Sequence, residues 1–300
     1  MNPKYPYFGT ETVCKEQIIS FPPQHQDRQP GIESKMVPLP IWDNPDYKGS
    51  GKLEGKVALV TGGDSGIGRA TSVAFAKEGA DVAIAYLYER SDALVTKQAI
   101  ERLGRRCLLL ETDLRVKSNC EEVVRRTLAT FGKLDVLVNN HGVQFPQDSI
   151  ADITDEQLYR TYQTNILSYF HLVQAALPAL KPGSSIINTT SVTAYRGAKV
   201  LVDYSSTKGA VVSFTRSLAL QLVDKGIRVN AVAPGPIWTP LIVSSYDANT
   251  VKTFGLDSAM KRAGQPYELA PAYVFLASEL CSSFVTGEVL HVNGGQMVTT

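Results

Sequence analysis

Net charge is almost absent from this sequence: 30 Lys and Arg stand against 29 Asp and Glu, leaving +1 over 300 residues. No basic stripe with interleaved aromatics accompanies that balance, which argues against nucleic acid as a partner. No run approaches the roughly 20 apolar residues a membrane span needs, and the N-terminus lacks the charged-then-apolar layout of a secretory signal. Cysteine is sparse. Cys14, Cys107, Cys120 and Cys281 show no paired spacing, which suits a reducing cytoplasm better than a disulfide framework. Cys107 lies in an apolar run and reads as a buried small side chain. Histidines 25, 141, 171 and 291 are scattered without a carboxylate cluster, so no metal site is expected. No internal repeat of solenoid period is present.

Proline is concentrated at one end. Residues 1–52 hold Pro3, Pro6, Pro22, Pro23, Pro30, Pro38, Pro40 and Pro45, with few apolar runs, so continuous helix or sheet is not expected there. The same segment carries Tyr5, Tyr7, Phe8, Phe21, Ile41, Trp42 and Tyr47, more aromatic content than a disordered tail holds. It reads as an extended arm lying on the body of the protein or on a neighbouring subunit. From residue 53 to 300 strands and helices alternate. Strand-like runs cover 57–61, 81–86, 106–111, 134–139, 184–190, 227–233 and 288–292. Helix-like runs cover 66–78, 91–103, 117–131, 154–180, 203–224 and 266–278. Alternating β and α with β-branched, uninterrupted apolar strands predicts one α/β domain, a Rossmann-like, doubly wound, mostly parallel seven-stranded sheet with helices on both faces. Crossovers are expected to be right-handed.

The first strand-like run ends in Thr61-Gly62-Gly63-Asp64-Ser65-Gly66-Ile67-Gly68 and continues into a helical pattern. Strand, glycine turn and helix in that order make a dinucleotide site, because glycine lets the backbone approach a pyrophosphate and free N–H groups at the helix start bind its charge. A second constellation is Ser191, Tyr204 and Lys208. A free tyrosine titrates near pH ~10, but an i+4 lysine on the same helix face favours the phenolate. A hydroxyl such as Ser191 can donate to a carbonyl oxygen as negative charge gathers there, and Tyr204 can supply or take the proton. Asn139, Ser191 and Pro234 all follow strand ends, so they converge on the edge where the glycine loop lies.

Together, Thr-Gly-x-x-x-Gly-x-Gly and the Ser191, Tyr204, Lys208 set resemble the classical short-chain dehydrogenase/reductase family, over about residues 53–297. The resemblance implies NAD(P)-dependent reduction of a carbonyl to an alcohol, with Tyr204 as general acid/base, Lys208 lowering its pKa and holding the nicotinamide ribose, Ser191 polarising the oxygen and Asn165 anchoring a water relay. It further implies cofactor contacts at Gly62, Asp64, Ser65, Gly66, Ile67, Gly68, Tyr86, Leu87, Asp113, Leu114, Asn140, Gly142, Pro234, Gly235 and Ile237, besides Tyr204 and Lys208. His141 stands where the family has a small alanine and reads as a structural turn residue rather than a pocket residue. Asn293 replaces the usual aspartate before Gly294-Gly295. The long leader ending Tyr47-Lys48-Gly49-Ser50-Gly51-Lys52-Leu53, the run Ala233-Pro234-Gly235-Pro236-Ile237-Trp238-Thr239-Pro240 and Lys261-Arg262-Ala263-Gly264-Gln265-Pro266 resemble a bacterial general-stress oxidoreductase subgroup. The family is usually tetrameric, with the helices near 154–180 and 203–224 paired between subunits. Leu218, Leu220 and Leu222 are compatible with that pairing and equally with simple core packing.

Residues 236–262 are irregular and aromatic, as a substrate lid would be. Gln144, Phe145, Val192, Tyr195 and Trp238 are the candidate pocket walls, for a small uncharged or aromatic carbonyl. At the end of the second strand Tyr86 and Leu87 stand where an acid or a base would choose between the cofactors. Asp64 and Glu89 disfavour a 2′-phosphate, while Arg69 and Arg90 could swing in. NAD(H) is favoured, with NADP(H) the alternative. The rival functions are a non-catalytic NAD(P)-binding redox sensor or a stress-related binding protein, and an epimerase or dehydratase on the same fold.

Overall fold

A computed structural model of the chain describes residues 10–12 and 16–298. Pro3, Tyr5, Pro6, Tyr7, Phe8 and Cys14 lie outside them. Seven strands form the sheet: β1 Val57–Thr61, β2 Asp81–Tyr86, β3 Cys107–Glu111, β4 Val136–Asn139, β5 Ser185–Thr189, β6 Arg228–Pro234 and β7 Val289–Val292. Their order is 3-2-1-4-5-6-7, and every neighbouring pair is parallel. The sheet is therefore wholly rather than mostly parallel. Strands β1, β2, β4, β5 and β6 are buried along their whole length, which is why they read as unbroken apolar runs rather than alternating ones.

Seven longer helices cover the sheet: α1 Gly66–Lys77, α2 Arg90–Arg102, α3 Lys117–Phe131, α4 Asp155–Tyr162, α5 Ser168–Ala176, α6 Val202–Leu222 and α7 Pro266–Ala277. One core joins α1 and α7 to one face through Phe75, Ile84, Leu269 and Tyr273. The other joins α3, α5 and α6 to the opposite face through Leu59, Val124, Leu172 and Leu222. The order reverses between β1 and β4, and Val60 pairs with Val138 there. The Thr61-Gly62 and Asn139-Asn140 turns thus leave the sheet side by side, and the crevice they bound is where ligands sit in such sheets.

Two segments differ from the sequence reading. The helix expected over 154–180 is α4 and α5 joined by a π-helical turn, Gln163–Leu167, which apolar spacing cannot reveal because the bulge preserves the buried face. The irregular stretch 236–262 contains two short helices, Pro240–Val243 and Ala248–Lys252, and a small core of its own. Trp238, Ile242, Val243, Val251 and Ala263 pack there with Phe21 and Met36 of the arm. Phe21 stacks on Trp238 with ring centroids 3.7 Å apart and planes 8° apart. From residue 19 onward the arm therefore lies on its own chain. A short antiparallel pair, Thr10–Thr12 with Glu16–Ile18, precedes it.

Candidate active site

The glycine turn is shaped by close approach. A Cβ on Gly68 would fall 1.8 Å from the Gly62 carbonyl oxygen, and Gly62 has φ +64°, a left-handed conformation that favours glycine. Thr61 ties this turn to the next one. Its hydroxyl donates to the Val138 carbonyl at 3.2 Å and accepts from Asn140 N–H at 2.9 Å. The Asn140 amide donates to the carbonyls of Thr61 and Gly62 at 3.2 and 3.3 Å. His141 is half-buried, held between Thr61 Oγ1 (Nδ1, 2.7 Å) and Ser168 Oγ (Nε2, 2.9 Å), and desolvation pushes it down to about 3. Both nitrogens are engaged and the ring is neutral, as in a turn residue, yet His141 also lines the groove, so it is a pocket residue as well.

Ser191, Tyr204 and Lys208 meet where β5 ends and α6 begins. Asp203 accepts the Tyr204 N–H at 2.8 Å and, through its other oxygen, the hydroxyl of Thr161 at 2.8 Å. That acid in the first turn complements the helix dipole and fixes the tyrosine's backbone. The Ser191 hydroxyl accepts from the N–H and the hydroxyl of Thr193, both at 3.1 Å, and lines the same groove as the Tyr204 phenol. Lys208 lies 5.5 Å from the centre of the Tyr204 ring and donates to the Thr189 carbonyl at 2.9 Å. Burial pushes Tyr204 up to about 12, with the Ser191 hydroxyl pulling against it. Burial also pushes Lys208 down to about 7. In this state burial, rather than the Lys208 charge, governs the phenol, contrary to the expected lowering. Asn165 sits on the π-turn. Its Oδ1 accepts Val143 N–H at 2.8 Å, and its Nδ2 donates to the Val143 carbonyl at 2.9 Å and to Thr207 at 3.2 Å. It is fully buried behind Gly142 and pins that turn.

Ser191, Tyr204 and Lys208 line one groove of about 540 Å³, together with Asp113, Leu114, Tyr246 and Phe254, whereas Asn165 lies behind it and does not line it. All the expected cofactor contacts face it except Gly68, which is folded into the turn. Of the five candidate pocket walls, Gln144 and Val192 line it and three do not. Trp238 is completely buried and donates its indole N–H to the Pro38 carbonyl at 3.0 Å. Tyr195 packs edge-on against His291. Phe145 lies under Arg160. The aromatic residues of 236–262 were thus drawn partly into the arm's core. The wall instead includes Arg160, Arg196, Thr250 and Tyr246, and also Pro30 and Gly31 of the arm. A proline-glycine pair some thirty residues from the glycine turn carries no sequence signal of that destination.

The residues fit a dinucleotide. Lys208 is a buried ammonium with three donors, and its one hydrogen bond is to a carbonyl. At the adenosine end, Asp113 is clamped by Arg115 at 2.6 to 3.0 Å, which holds its carboxyl below the usual range. Asp64 is buried in the wall and pushed up to about 7 by burial and then by the Glu89 charge. Glu89 is also buried, and its Oε1 has no hydrogen-bond partner. Arg69 cannot swing toward a 2′-phosphate, because it is 3% exposed and ion-paired with Glu33 and Asp92. Arg90 is turned to Glu111 at 3.7 Å. Among the described residues no group of acids, histidines or cysteines could hold a metal, and no helix is long and apolar enough to cross a membrane.

Sheet order, glycine turn and the serine, tyrosine and lysine at one crevice define a class, an oxidoreductase built on a dinucleotide-binding α/β sheet. The chain belongs to the short-chain dehydrogenase/reductase family. A family model described as enoyl-(acyl carrier protein) reductase matches residues 62–297. An oxidoreductase of Bacillus subtilis, YhdF, is 61% identical over 93% of this chain and 96% of its own. General stress protein 39 of the same organism is 57% identical over 93% and 97%, which places the chain in the stress-protein-like group of the family. NADPH-dependent aldehyde reductase 1 of Arabidopsis thaliana is 52% identical over 92% and 98%. A solved short-chain dehydrogenase from Burkholderia cenocepacia, in complex with NADP, superposes with TM-score 0.77 at 32% identity, covering 82% of this chain and 99% of that one.

Proposed function

We propose that the protein reversibly reduces an aldehyde or ketone to an alcohol in the groove between the glycine turn and residues 236–262, with residues 53–300 as the catalytic domain and 1–52 as an extension. The observation that carries this reading is the convergence of Ser191, Tyr204 and Lys208 on one groove, with Lys208 Nζ 5.5 Å from the centre of the Tyr204 ring. When bound, NAD(P)H supplies the hydride. Ser191 accepts twice from Thr193, so its own hydrogen remains to be donated, to Tyr204 or to a substrate carbonyl. Tyr204 delivers the proton to the oxygen as charge gathers there, a contribution of roughly 10²–10⁴-fold. Burial favours the neutral phenol, the form needed for reduction. Lys208 offers its remaining donors to ribose hydroxyls. Asn165 fixes the Gly142-Val143 turn and supports the water relay.

The cofactor is NAD(P)(H). Relatives point to NADP: one is named for NADPH and one solved neighbour holds NADP. The residues of this groove support NAD(H), because Asp64 and Glu89 line it and Arg69 is held by Glu33 rather than free to meet a phosphate. A homotetramer is supported by exposed apolar residues on two faces, and a cytoplasmic setting by free thiols at Cys107, Cys120 and Cys281.

The test is oxidation of NADH and NADPH by the pure protein against aldehydes, ketones, diketones and quinones, beside Tyr204→Phe. Turnover that disappears in the variant while cofactor binding persists is the expected result. Cofactor binding without turnover on any carbonyl would favour the redox-sensor reading instead.

A further inference from the structure

The arm does more than cover the substrate loop, because its residues 29–33 reach the cofactor groove and the glycine turn behind it. Glu33 is 1% exposed. Its carboxylate accepts the N–H of Gly66 at 2.6 Å, at the first residue of α1, and pairs with the Arg69 guanidinium. Arg69 spends its other donors on the Asp64 carbonyl, the Thr96 hydroxyl and the Asp92 carbonyl, each at 2.9 Å. Asp92 in turn accepts the backbone N–H of Glu33 at 2.7 Å. One N–H at the start of α1 is therefore consumed by the arm and is unavailable to a phosphate, and the turn is braced from behind by the Arg69 guanidinium held between two carboxylates, Glu33 and Asp92. Pro30 and Gly31 form part of the groove wall, and Tyr88, which does not line the groove, donates its hydroxyl to the Pro30 carbonyl at 2.6 Å. At the substrate end, Gln29 donates to the Gln144 carbonyl at 2.5 Å and accepts the Gln144 N–H at 3.1 Å.

We infer that Glu33 is a positioning residue of the cofactor site, and that arm residues 29–33 form an outer clamp that sets how tightly the cofactor is held. The inference rests on the carbonyl-reductase reading for the identity of the ligand. A clamp of this kind acts on cofactor affinity and leaves proton transfer at Tyr204 untouched, since among the described residues no arm side chain is hydrogen-bonded to Ser191, Tyr204 or Lys208.

The experiment is titration of the full-length protein with NADH and NADPH, followed by steady-state kinetics at saturating cofactor. Glu33→Ala is expected to raise the cofactor Kd about tenfold or more, the equivalent of one lost charge-assisted hydrogen bond, with kcat and the KM for the carbonyl within about twofold of the parent. Glu33→Gln retains an acceptor for the Gly66 N–H and should recover much of the affinity, which a merely structural loss would not. Should Glu33→Ala fail to fold, Tyr88→Phe decides, because it unties Pro30 from outside the groove and is expected to raise the Kd about threefold. A folded Glu33→Ala with unchanged cofactor Kd, or one whose kcat falls as far as its Kd rises, overturns the clamp, as does an unchanged Kd in Tyr88→Phe where that variant decides. Failure of the unaltered protein to bind either cofactor would instead overturn the reductase reading, which the Tyr204→Phe comparison tests independently of Glu33.

Discussion

Asp64 is the acid at which this groove can change its charge near neutral pH, as Lys208 is the base. Burial, then the nearby Glu89, push its carboxyl up to about 7, so it is mostly neutral at pH 6 and mostly ionised at pH 8. An ionised carboxylate at the ribose end repels a 2′-phosphate and accepts a hydroxyl. The ratio of the NADPH Kd to the NADH Kd should therefore rise between pH 6 and pH 8, and Asp64→Asn should flatten that rise. A flat ratio in the unaltered protein would put Asp64 away from the ribose. Leu87, also in the wall, gives the complementary change. Leu87→Arg should improve NADPH binding, and no gain would mean that the ribose pocket is elsewhere. The proposed catalytic quartet and the glycine turn were legible in the sequence because each is a short pattern of chemically distinctive residues. The role of Arg69 was not. It looked like a cation free to meet a phosphate, and only the arrival of Glu33 from 36 positions upstream shows it to be neutralised.

At the scale of elements, the arm and residues 236–262 behave as one unit. Phe21 is 1% exposed and Trp238 fully buried, and backbone hydrogen bonds join Gln26 to Val243 at 2.7 Å and Phe21 to Lys252 at 3.3 Å. Phe21→Ala removes one half of the stacked pair and should cost about 3 kcal/mol of arm docking. The readout is limited proteolysis at the exposed Arg28, Lys35 and Lys48, with faster hydrogen exchange over 240–252. Unaltered protection in Phe21→Ala would separate the arm from the loop. Every sheet strand and all but one of the long helices could be read from period and composition, since parallel strands buried on both faces leave little ambiguity. What could not be read was long-range. Trp238 looked like a pocket wall because its neighbours are irregular and aromatic, and its true partner lies 217 positions away. The π-turn that seats Asn165 likewise leaves no mark on apolar spacing.

Across the whole molecule, two patches of apolar surface remain unexplained by a single chain. On one face Leu167 and Phe170 are each 43% exposed and Leu220 is 80% exposed, with Phe170 packed 4.3 Å from Phe214. Leu218 and Leu222, by contrast, belong to the chain's own core, so of the three leucines weighed for subunit pairing only Leu220 is available. On another face Leu280 is 85% exposed and Phe284 fully exposed. Exposed large apolar side chains such as these are candidates for association sites. Two different self-complementary faces on one chain close as a tetramer of two-fold symmetry, whereas one face alone gives a dimer. Light scattering should therefore report about four times the 32.6 kDa chain mass. Replacing Leu280 and Phe284 together by glutamate should yield dimers, because charge buried at one face leaves the Leu167, Phe170 and Leu220 face intact. The described part of the arm is bound to its own chain, so these dimers should retain cofactor affinity and protease protection of the arm. A monomeric parent protein at micromolar concentration, or a double variant that remains tetrameric, would show that these faces do not join subunits.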